Sequence, residues 1–194
     1  MTDTLRTFVA VETSQPVRRR AEELMQLLSA AGVDVRWVDS HNLHLTLKFL
    51  DEVPTREIPG VCEAVQRAAA GVPAFDLTLC GAGAFPHPGR PRTLWLGGGE
   101  GSQRLAVLHA ALEKALAPLG FRKEPRAFEP HLTIGRVRGG GPALGELARL
   151  LKEHAAFDAG RFRVAELVVF SSQLMPRGPI YEALARAPLV PRPA

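Results

Sequence analysis

The chain has 194 residues and a formal net charge of +4, with 46% hydrophobic and 23% charged residues. This length can bury a sizeable core, and the composition is that of a globular protein, which excludes a disordered or collagen-like chain. The apolar runs are far shorter than the ~20 residues that span a bilayer, and residues 1–4 lack the basic start of a signal peptide. The sequence therefore predicts a cytoplasmic protein without a membrane segment.

Arginine dominates the basic residues. Of the 24 lysines and arginines, lysine accounts only for those at positions 48, 114, 123 and 152. Arginine forms two-pronged hydrogen bonds with phosphate and stacks on bases, so this composition is compatible with a nucleic-acid partner. A GC-rich genome produces the same enrichment, and both interpretations stay open at this point.

The first half of the chain predicts an alternation of strands and helices. A strand over residues 7–11 is followed by Ser14 as a helix N-cap and Pro16 in the first helical turn. Apolar residues spaced by three and four then indicate a helix to about residue 31, which Gly32 ends. The further predictions are strands over residues 33–38 and 43–50, a helix over 55–70, strands over 75–80 and 93–96, and a long loop over 81–92.

The second half repeats this order approximately. The predicted elements are a helix over residues 102–117, a strand over 128–137, a helix ending near His154, and strands over 161–164, 167–174 and 180–185. We expect an α+β fold with two pseudo-twofold-related lobes, each a mainly antiparallel sheet with outer helices, and an active-site cleft between the lobes. One two-lobed domain is predicted over residues 1–187, followed by a loose Pro-rich tail over 188–194.

One polar pattern occurs in both halves of the chain. It reads HLTL at residues 44–47 and HLTI at residues 131–134. A histidine and a threonine two residues apart in a strand project from the same face, while the apolar residues between them point into a core. If the two strands face each other, His44, Thr46, His131 and Thr133 line one cleft. Two imidazoles and two hydroxyls suit acid–base chemistry on a phosphate.

The residues after the first copy continue the alternation. Strict alternation predicts Lys48 on the same face as His44, and Phe49 on the core face. Trp37 and Trp95 also lie in apolar strand patterns, and we interpret all three aromatic residues as core residues.

Four segments resemble the two-histidine phosphoesterase superfamily, and within it the bacterial and archaeal RNA 2′,3′-cyclic phosphodiesterase family, long called 2′-5′ RNA ligase. They are NLHLTLKFL at 42–50, PRTLWLG at 91–97, FEPHLTIGR at 128–136 and LMPRGPIY at 174–181. The four occur in the expected order, and the likeness runs from the first strand to about residue 186. Asp51 departs from the glycine that many relatives have there, which is expected to alter a turn and not the chemistry.

The resemblance implies a role for each site residue. His44 is expected to be the proton donor and His131 the proton acceptor that activates water, so that a 2′,3′-cyclic phosphate opens to a 2′-phosphate. Thr46, Thr133 and Arg136 are expected to bind the phosphate oxygens, and no metal or other cofactor is implied. The residues alone do not orient the pair, because the two copies are nearly equivalent.

The implied partner is RNA with a 2′,3′-cyclic phosphate end, with tRNA halves as candidates, and the protein is expected to be a monomer. In the reverse direction the same groups could join a cyclic end to a 5′-hydroxyl in a 2′-5′ linkage. Two other functions stay open: a phosphodiesterase for a small cyclic nucleotide such as ADP-ribose 1″,2″-cyclic phosphate, and a catalytically silent RNA-binding module.

Other polar residues give weaker signals. Neither Cys62 nor Cys80 has metal-ligand spacing, and both are interpreted as buried free thiols. His41 lies three residues before His44, and we interpret it as solvent-facing or as a support of the site and not as catalytic. His87 falls in a turn, His109 and His154 fall on helices without neighbouring ligands, and no metal site is predicted. A set of basic residues could line an RNA groove or form an ordinary solvated surface: Arg90, Arg92, Arg122, Lys123, Arg126, Arg136 and Arg138.

Overall fold

The structure is a computed structural model and describes residues 3–176 and 178–191. Its strands are β1 (Thr4–Glu12), β2 (Val35–Trp37), β3 (His44–Pro54), β4 (Phe75–Phe85), β5 (Thr93–Gly98), β6 (His131–Val137), β7 (Asp158–Val164), β8 (Glu166–Met175) and β9 (Gly178–Pro188). Its α-helices are α1 (Gln15–Ser29), α2 (Ile58–Ala69), α3 (Ser102–Leu116) and α4 (Ala143–Glu153). Within the described part of the chain, no helix has the length and apolarity needed to cross a membrane.

The strands form two antiparallel sheets, a four-stranded one in the order β3-β1-β8-β9 and a five-stranded one in the order β2-β6-β5-β4-β7. The series β3-β1-β8-β9 corresponds position by position to β6-β5-β4-β7, with β2 added outside β6. The predicted α+β fold with two related antiparallel sheets is therefore confirmed. The strands with the two His-x-Thr copies, β3 and β6, occupy equivalent places in their sheets.

The two sheets do not coincide with the two halves of the chain. Strand β2, from the first half, pairs with β6 in the five-stranded sheet, and β8 and β9, at the end of the chain, complete the sheet of β1 and β3. Each sheet thus contains strands from both halves of the sequence. This exchange ties the sheets together, and one cluster of buried apolar side chains runs through both.

Helix α1 shows why these residues fold as predicted. Its apolar stripe is buried, with Val17, Ala21 and Leu24 each at 0% exposure. On its outer side, the Arg20 guanidinium donates to the carbonyl of Asp158 in β7 at 3.0 Å and lies 4.6 Å from the centre of the Phe157 ring. The helix that follows β1 of the four-stranded sheet is thereby fastened to the five-stranded sheet.

A β-bulge in β3 changes which side chains reach the cleft. Ala10 pairs with Thr46 and Val9 with Lys48, so Leu47 is an extra residue that reverses the alternation beyond it. Lys48 is consequently buried, at 2% exposure, whereas Phe49 is 53% exposed. The predictions that Lys48 shares the face of His44 and that Phe49 lies in the core are both wrong.

Asp51 lies beyond a second irregularity of the same strand. Thr7 pairs with Asp51 and Phe8 with Phe49, so Leu50 is also an extra residue. Asp51 has a φ of 54°, in the left-handed region that glycine adopts without strain and that aspartate tolerates better than most residues. The departure from glycine therefore falls at a bulge within β3, seven residues after His44, and not in a turn as expected.

The chain remains attached beyond Pro188. Leu189 is 5% exposed and its backbone N–H donates to the carbonyl of Ala165 at 2.8 Å. The N–H of Val190 donates to the Val72 carbonyl at 3.0 Å. The expected loose tail is thus wrong for residues 188–190, because a buried leucine and backbone pairing hold them, while residues 192–194 lie outside the described residues.

Candidate active site

His44 stands at the first position of β3, where several segments meet. The backbone N–H of Val38 donates to the carbonyl of Ile134 in β6 at 2.9 Å, and the Asn42 side-chain amide donates to the carbonyl of Pro179 in β9 at 3.0 Å. The approach to His44 is therefore fixed to both sheets. This arrangement places the beginning of β3 beside β6.

The ring of His44 has a defined orientation. Its Nδ1 donates to the carbonyl of Asn42 at 2.6 Å, and its Nε2 lies 3.0 Å from Oγ1 of Thr46. Because a carbonyl only accepts, Nδ1 carries a proton and Nε2 is the nitrogen that can take or give one. The hydroxyl of Thr46 lies beside this nitrogen.

His131 repeats this arrangement at the first position of β6. Its Nδ1 donates to the carbonyl of Glu129, two residues earlier, at 2.7 Å. The Phe85 ring meets it edge to face at 5.0 Å. Both motif copies therefore hold the imidazole through the carbonyl two residues upstream, so Nε2 is the nitrogen that can take or give a proton.

The bulge of β3 has a counterpart in β6. Leu94 pairs with Gly135 and Trp95 with Thr133, so Ile134 is the extra residue, as Leu47 is in β3. Beyond the bulge, Arg136 is exposed and shares the face of His131 and Thr133. Phe49 occupies the corresponding place after the first copy, so the two equivalent strands present an arginine and a phenylalanine. The structure therefore brings Arg136 to the surface of the second motif.

An aromatic cluster that no sequence pattern predicts surrounds His44. The Phe8 ring lies 4.9 Å from the imidazole, and the Tyr181 ring meets it edge to face at 5.2 Å. Together with Phe170, these rings belong to a small apolar cluster separate from the main core. Tyr181 falls in one of the family-like segments and Phe8 and Phe170 lie in strands, but nothing in a single strand indicates that their rings meet His44.

Burial and nearby charges act in opposite directions on His44. Burial lowers the pKa of the imidazole, while the hydrogen bond to the Asn42 carbonyl and the charge of Glu12 raise it. Glu12 is the residue opposite His44 on β1, and Arg186 donates to its carboxylate at 2.8 Å. Burial prevails, and the neutral imidazole is favoured in the free protein.

This lowered pKa predicts a loss of stability in acid. Below the ordinary histidine pKa of 6.5, the unfolded chain binds a proton at position 44 that the folded protein does not, so the free energy of unfolding falls with pH. His109, whose pKa burial also lowers, contributes in the same direction. We expect His44→Gln to lose less stability than the wild type between about pH 7 and pH 5, as measured by urea unfolding. An identical loss in both proteins would contradict this, and His87→Gln, on an exposed turn, is the matched control.

Each histidine lies in the wall of its own cavity. The cavity at His131 has a volume of about 430 Å³, within the range of small-molecule sites, and its aromatic and apolar walls include Phe85, Trp95, Phe128 and Pro130. A smaller cavity of about 180 Å³ adjoins His44 and is lined by Glu12, Arg18, His41, Asn42, Leu43, Phe170 and Tyr181. Trp95 was predicted to be a core residue; it is half-buried and lines the larger cavity. Trp37 packs against the core as predicted.

Glycine at position 83 allows Trp95 to lie in this wall. A Cβ at Gly83 would come within 2.2 Å of the indole ring. We expect Gly83→Ala to displace the indole and to shift its fluorescence emission, measured in a Trp37→Phe background that leaves Trp95 as the single tryptophan. Gly60→Ala, where a Cβ has no neighbour within 4 Å, is the control. Unchanged emission in Gly83→Ala would show that the wall does not depend on this contact.

Other candidate residues lie outside this site. Lys48 and His109 face Glu113 on the core side of β3, at 2.7 and 3.6 Å from its Oε1. His87 is on an exposed turn, and the His154 ring lies 6.2 Å from that of Phe157. Over residues 3–176 and 178–191, no three histidines, cysteines or acidic residues come together as a metal-binding group. Cys62 and Cys80 are free thiols, as predicted, but Cys62 is half-buried and Cys80 is exposed, so their predicted burial is wrong.

Two sheets that present paired His-x-Thr strands, with an arginine beside the second copy, define a phosphoesterase of the two-histidine class. The family model "2'-5' RNA ligase superfamily" matches residues 15–174. The chain belongs to the 2′-5′ RNA ligase superfamily.

Individual relatives agree with this assignment. The "RNA 2',3'-cyclic phosphodiesterase" of Thermotoga maritima is 36% identical over 93% of this chain and 93% of its own. The protein of the same name from Methanothermobacter thermautotrophicus is 34% identical over 91% of this chain and 95% of its own. Among solved structures, TT0787 of Thermus thermophilus superimposes with a TM-score of 0.78 at 27% identity, covering 95% of this chain and 98% of that one.

Proposed function

We propose that the protein hydrolyses 2′,3′-cyclic phosphate ends of RNA to 2′-phosphomonoesters, with His44 as proton donor, His131 as proton acceptor and no metal ion. The observation that carries the proposal is the matched setting of the two imidazoles. Each Nδ1 donates to the carbonyl two residues upstream, so each Nε2 is available for proton transfer. The relatives that carry the name RNA 2′,3′-cyclic phosphodiesterase support the substrate class.

The chemistry needs two proton transfers on opposite sides of one phosphorus. A 2′,3′-cyclic phosphate is a strained five-membered diester. Opening it requires that water lose a proton as it attacks and that the departing 3′-oxygen of the ribose gain one. A neutral imidazole at His131 and a protonated imidazole at His44 divide this work at neutral pH, each contributing about 10²- to 10⁴-fold.

The non-bridging phosphate oxygens require their own partners. Thr46 and Thr133 each lie two residues after a histidine on the same strand, and Arg136 follows the second pair on the same face. Hydroxyl groups and a guanidinium fixed beside the imidazoles stabilise the charge that builds on these oxygens in the transition state. We assign phosphate binding to these three residues.

The protonation of His44 depends on the bound substrate. Burial favours its neutral form in the free protein, whereas a donor must start protonated. The negative phosphate adds to the effect of Glu12 and raises the pKa of His44 in the complex. Substrate binding itself thus charges the proposed donor.

We extend the proposal in three further respects. The reverse reaction would join a cyclic end to a 5′-hydroxyl, and tRNA halves are candidate substrates for both directions. Residues 1–187 would act as one domain, because the buried apolar cluster is continuous through both sheets. Monomeric state and a cytoplasmic location remain predictions from the sequence.

The test is an assay with a short RNA that ends in a 2′,3′-cyclic phosphate, in the presence of EDTA. We expect turnover to a 2′-phosphate. Turnover only after metal is added would refute the metal-free mechanism, and binding without turnover would indicate the silent RNA-binding module. Faster turnover of ADP-ribose 1″,2″-cyclic phosphate than of the RNA would indicate the small-nucleotide phosphodiesterase instead.

A further inference from the structure

Two arginines face each other directly across β2 and β6. Arg36 and Arg136 are paired in the antiparallel register, and both are exposed. Like charges in directly opposite positions of a sheet are destabilising. Over the described residues, neither forms an ion pair with an acidic side chain. Such a pair is suited to an anion that binds from outside the protein.

Arg36 extends from the five-stranded sheet towards the other sheet. Its Nη2 lies 3.6 Å from the position that a Cβ would occupy at Gly178, the first residue of β9. Tyr181 follows three residues later in the same strand and contacts the ring of His44. Arg36 therefore lies beside the beginning of β9, the strand that carries Tyr181.

Arg6 approaches the same place from the four-stranded sheet. It precedes Phe8 by two residues on β1, and the Phe8 ring lies 5.0 Å from that of Tyr181. Thr7 pairs with Ser171, and Ser172 pairs with Tyr181, so Arg6 falls in the same row across the sheet as Tyr181. The charges of Arg136, Arg6 and Arg36 all act on Tyr181, lowering its pKa against the stronger effect of burial. Glu52 lies opposite Arg6 in the register of β1 and β3, but over the described residues Arg6 forms no ion pair with an acidic side chain.

The three arginines lie on three different strands, and Arg36 on β2 is opposite Arg136 on β6. Arg136 lies on β6 beyond His131 and Thr133 and is assigned to the reacting phosphate. Arg6 and Arg36 lie on other strands, around Tyr181, and are left without an anion. We propose that Arg6 and Arg36 form a second phosphate site, which binds the internucleotide phosphate that precedes the cyclic end of an RNA substrate. This inference rests on the proposed function. The second phosphate site makes the protein selective for oligonucleotides over mononucleotides.

The side-chain chemistry of Arg6 and Arg36 suits an internucleotide phosphate. Guanidinium groups form two-pronged, charge-assisted hydrogen bonds with phosphate. A nucleoside 2′,3′-cyclic phosphate without a 5′-phosphate has nothing to offer the second site, whereas every longer RNA has a phosphate one nucleotide before its cyclic end. Selectivity therefore appears as a ratio of kcat/KM values between a dinucleotide and a mononucleotide, both with cyclic ends.

The test compares this ratio in the wild type and in the double variant Arg6→Gln/Arg36→Gln. We expect the ratio to fall by about 10- to 100-fold, which is the contribution of one or two charge-assisted hydrogen bonds. Arg104→Gln, which removes an exposed arginine of α3, is the matched control and should leave the ratio as in the wild type. An unchanged ratio in the double variant would overturn the second phosphate site.

A neutral substrate isolates the contact. A cyclic-ended dinucleotide with a methylphosphonate between its two nucleosides lacks the internucleotide charge. The wild type should therefore lose its preference for a dinucleotide over a mononucleotide with this compound. The double variant should show no further loss of kcat/KM. If kcat/KM for this neutral substrate still differs between the wild type and the double variant, the two arginines do not act through the internucleotide phosphate. Should the wild type hydrolyse none of these compounds, the proposed function fails by itself. The dissociation constants of a dinucleotide 2′-phosphate and its methylphosphonate form then decide on the second site.

Discussion

Replacing His44 or His131 with alanine is expected to lower kcat for a cyclic-ended RNA by about 10²- to 10⁴-fold. In the proposed mechanism each imidazole carries one of the two proton transfers, and the remaining imidazole cannot take over both because its Nδ1 is tied to a backbone carbonyl. The measurement is single-turnover hydrolysis with saturating enzyme, which separates chemistry from binding. A near-normal rate in either variant would rule out the two-histidine scheme.

The loss should be chemical and not structural. Neither histidine belongs to the main core cluster, although His44 contacts the aromatic rings of Phe8 and Tyr181. The control is His87→Ala on an exposed turn, which should retain full activity. Urea unfolding and binding of a 2′-phosphate product, measured on all three variants, distinguish a misfolded protein from a folded protein without its acid or base.

A change of leaving group assigns the donor and the acceptor. Sulfur in place of the 3′-oxygen of the cyclic phosphate departs as a thiolate, which needs no proton. If His44 is the donor, the sulfur substrate should restore much of the rate of His44→Ala and little of that of His131→Ala. Restoration in the opposite variant would reverse the two roles while retaining the pair.

Replacing Lys48 with methionine is expected to lower the free energy of unfolding by about 3–5 kcal/mol. The side chains of Lys48 and Glu113 are 3% and 7% exposed, and Lys48 Nζ lies 2.7 Å from Glu113 Oε1. Removing the lysine leaves a buried carboxylate with His109, at 3.6 Å, as a neighbour whose neutral form burial favours. The measurement is equilibrium unfolding in urea near neutral pH.

The matched control removes both charges. In Lys48→Met/Glu113→Leu no charge remains buried without a partner, and we expect most of the lost stability to return. A double variant as unstable as Lys48→Met would show that the lysine stabilises by other contacts. One such contact is the carbonyl of Arg122, to which Lys48 Nζ donates at 2.7 Å and which lies in the segment that leads into His131.

The fold and the histidine pair could be predicted because both produce patterns among residues that are close together in the sequence. The stripe of α1 and the alternation of apolar residues in β3 and β6 reflect burial on one face, which repeats with the period of the element. The copies at His44 and His131 are detectable for the same reason, since each sits in an apolar strand pattern. From these patterns the element order and the α+β class follow.

The bulges could not be predicted in this way. An extra residue at Leu47 or Ile134 exists only in relation to the partner strand, through the register of hydrogen bonds. Strict alternation therefore assigned Lys48 and Phe49 to the wrong faces. The same kind of bulge explains how Arg136, five residues after His131, shares its face.

Long-range strand pairing was equally hidden. The return of β8 and β9 to the sheet of β1 brings Tyr181 to His44, and the transfer of β2 to β6 sets Arg36 opposite Arg136. A strand pattern specifies which face is buried but not which strand lies alongside. The aromatic cluster and the proposed second phosphate site both depend on such pairings.

A crystal structure of the protein with an RNA 2′-phosphate product tests the central claim most directly. We expect one phosphate group in the cleft, with Nε2 of His44 and Nε2 of His131 each about 2.6–3.2 Å from one of its oxygens. Thr46, Thr133 and Arg136 should contact the other oxygens. A phosphate that reaches only one imidazole, or that binds away from both, would contradict a shared two-histidine site.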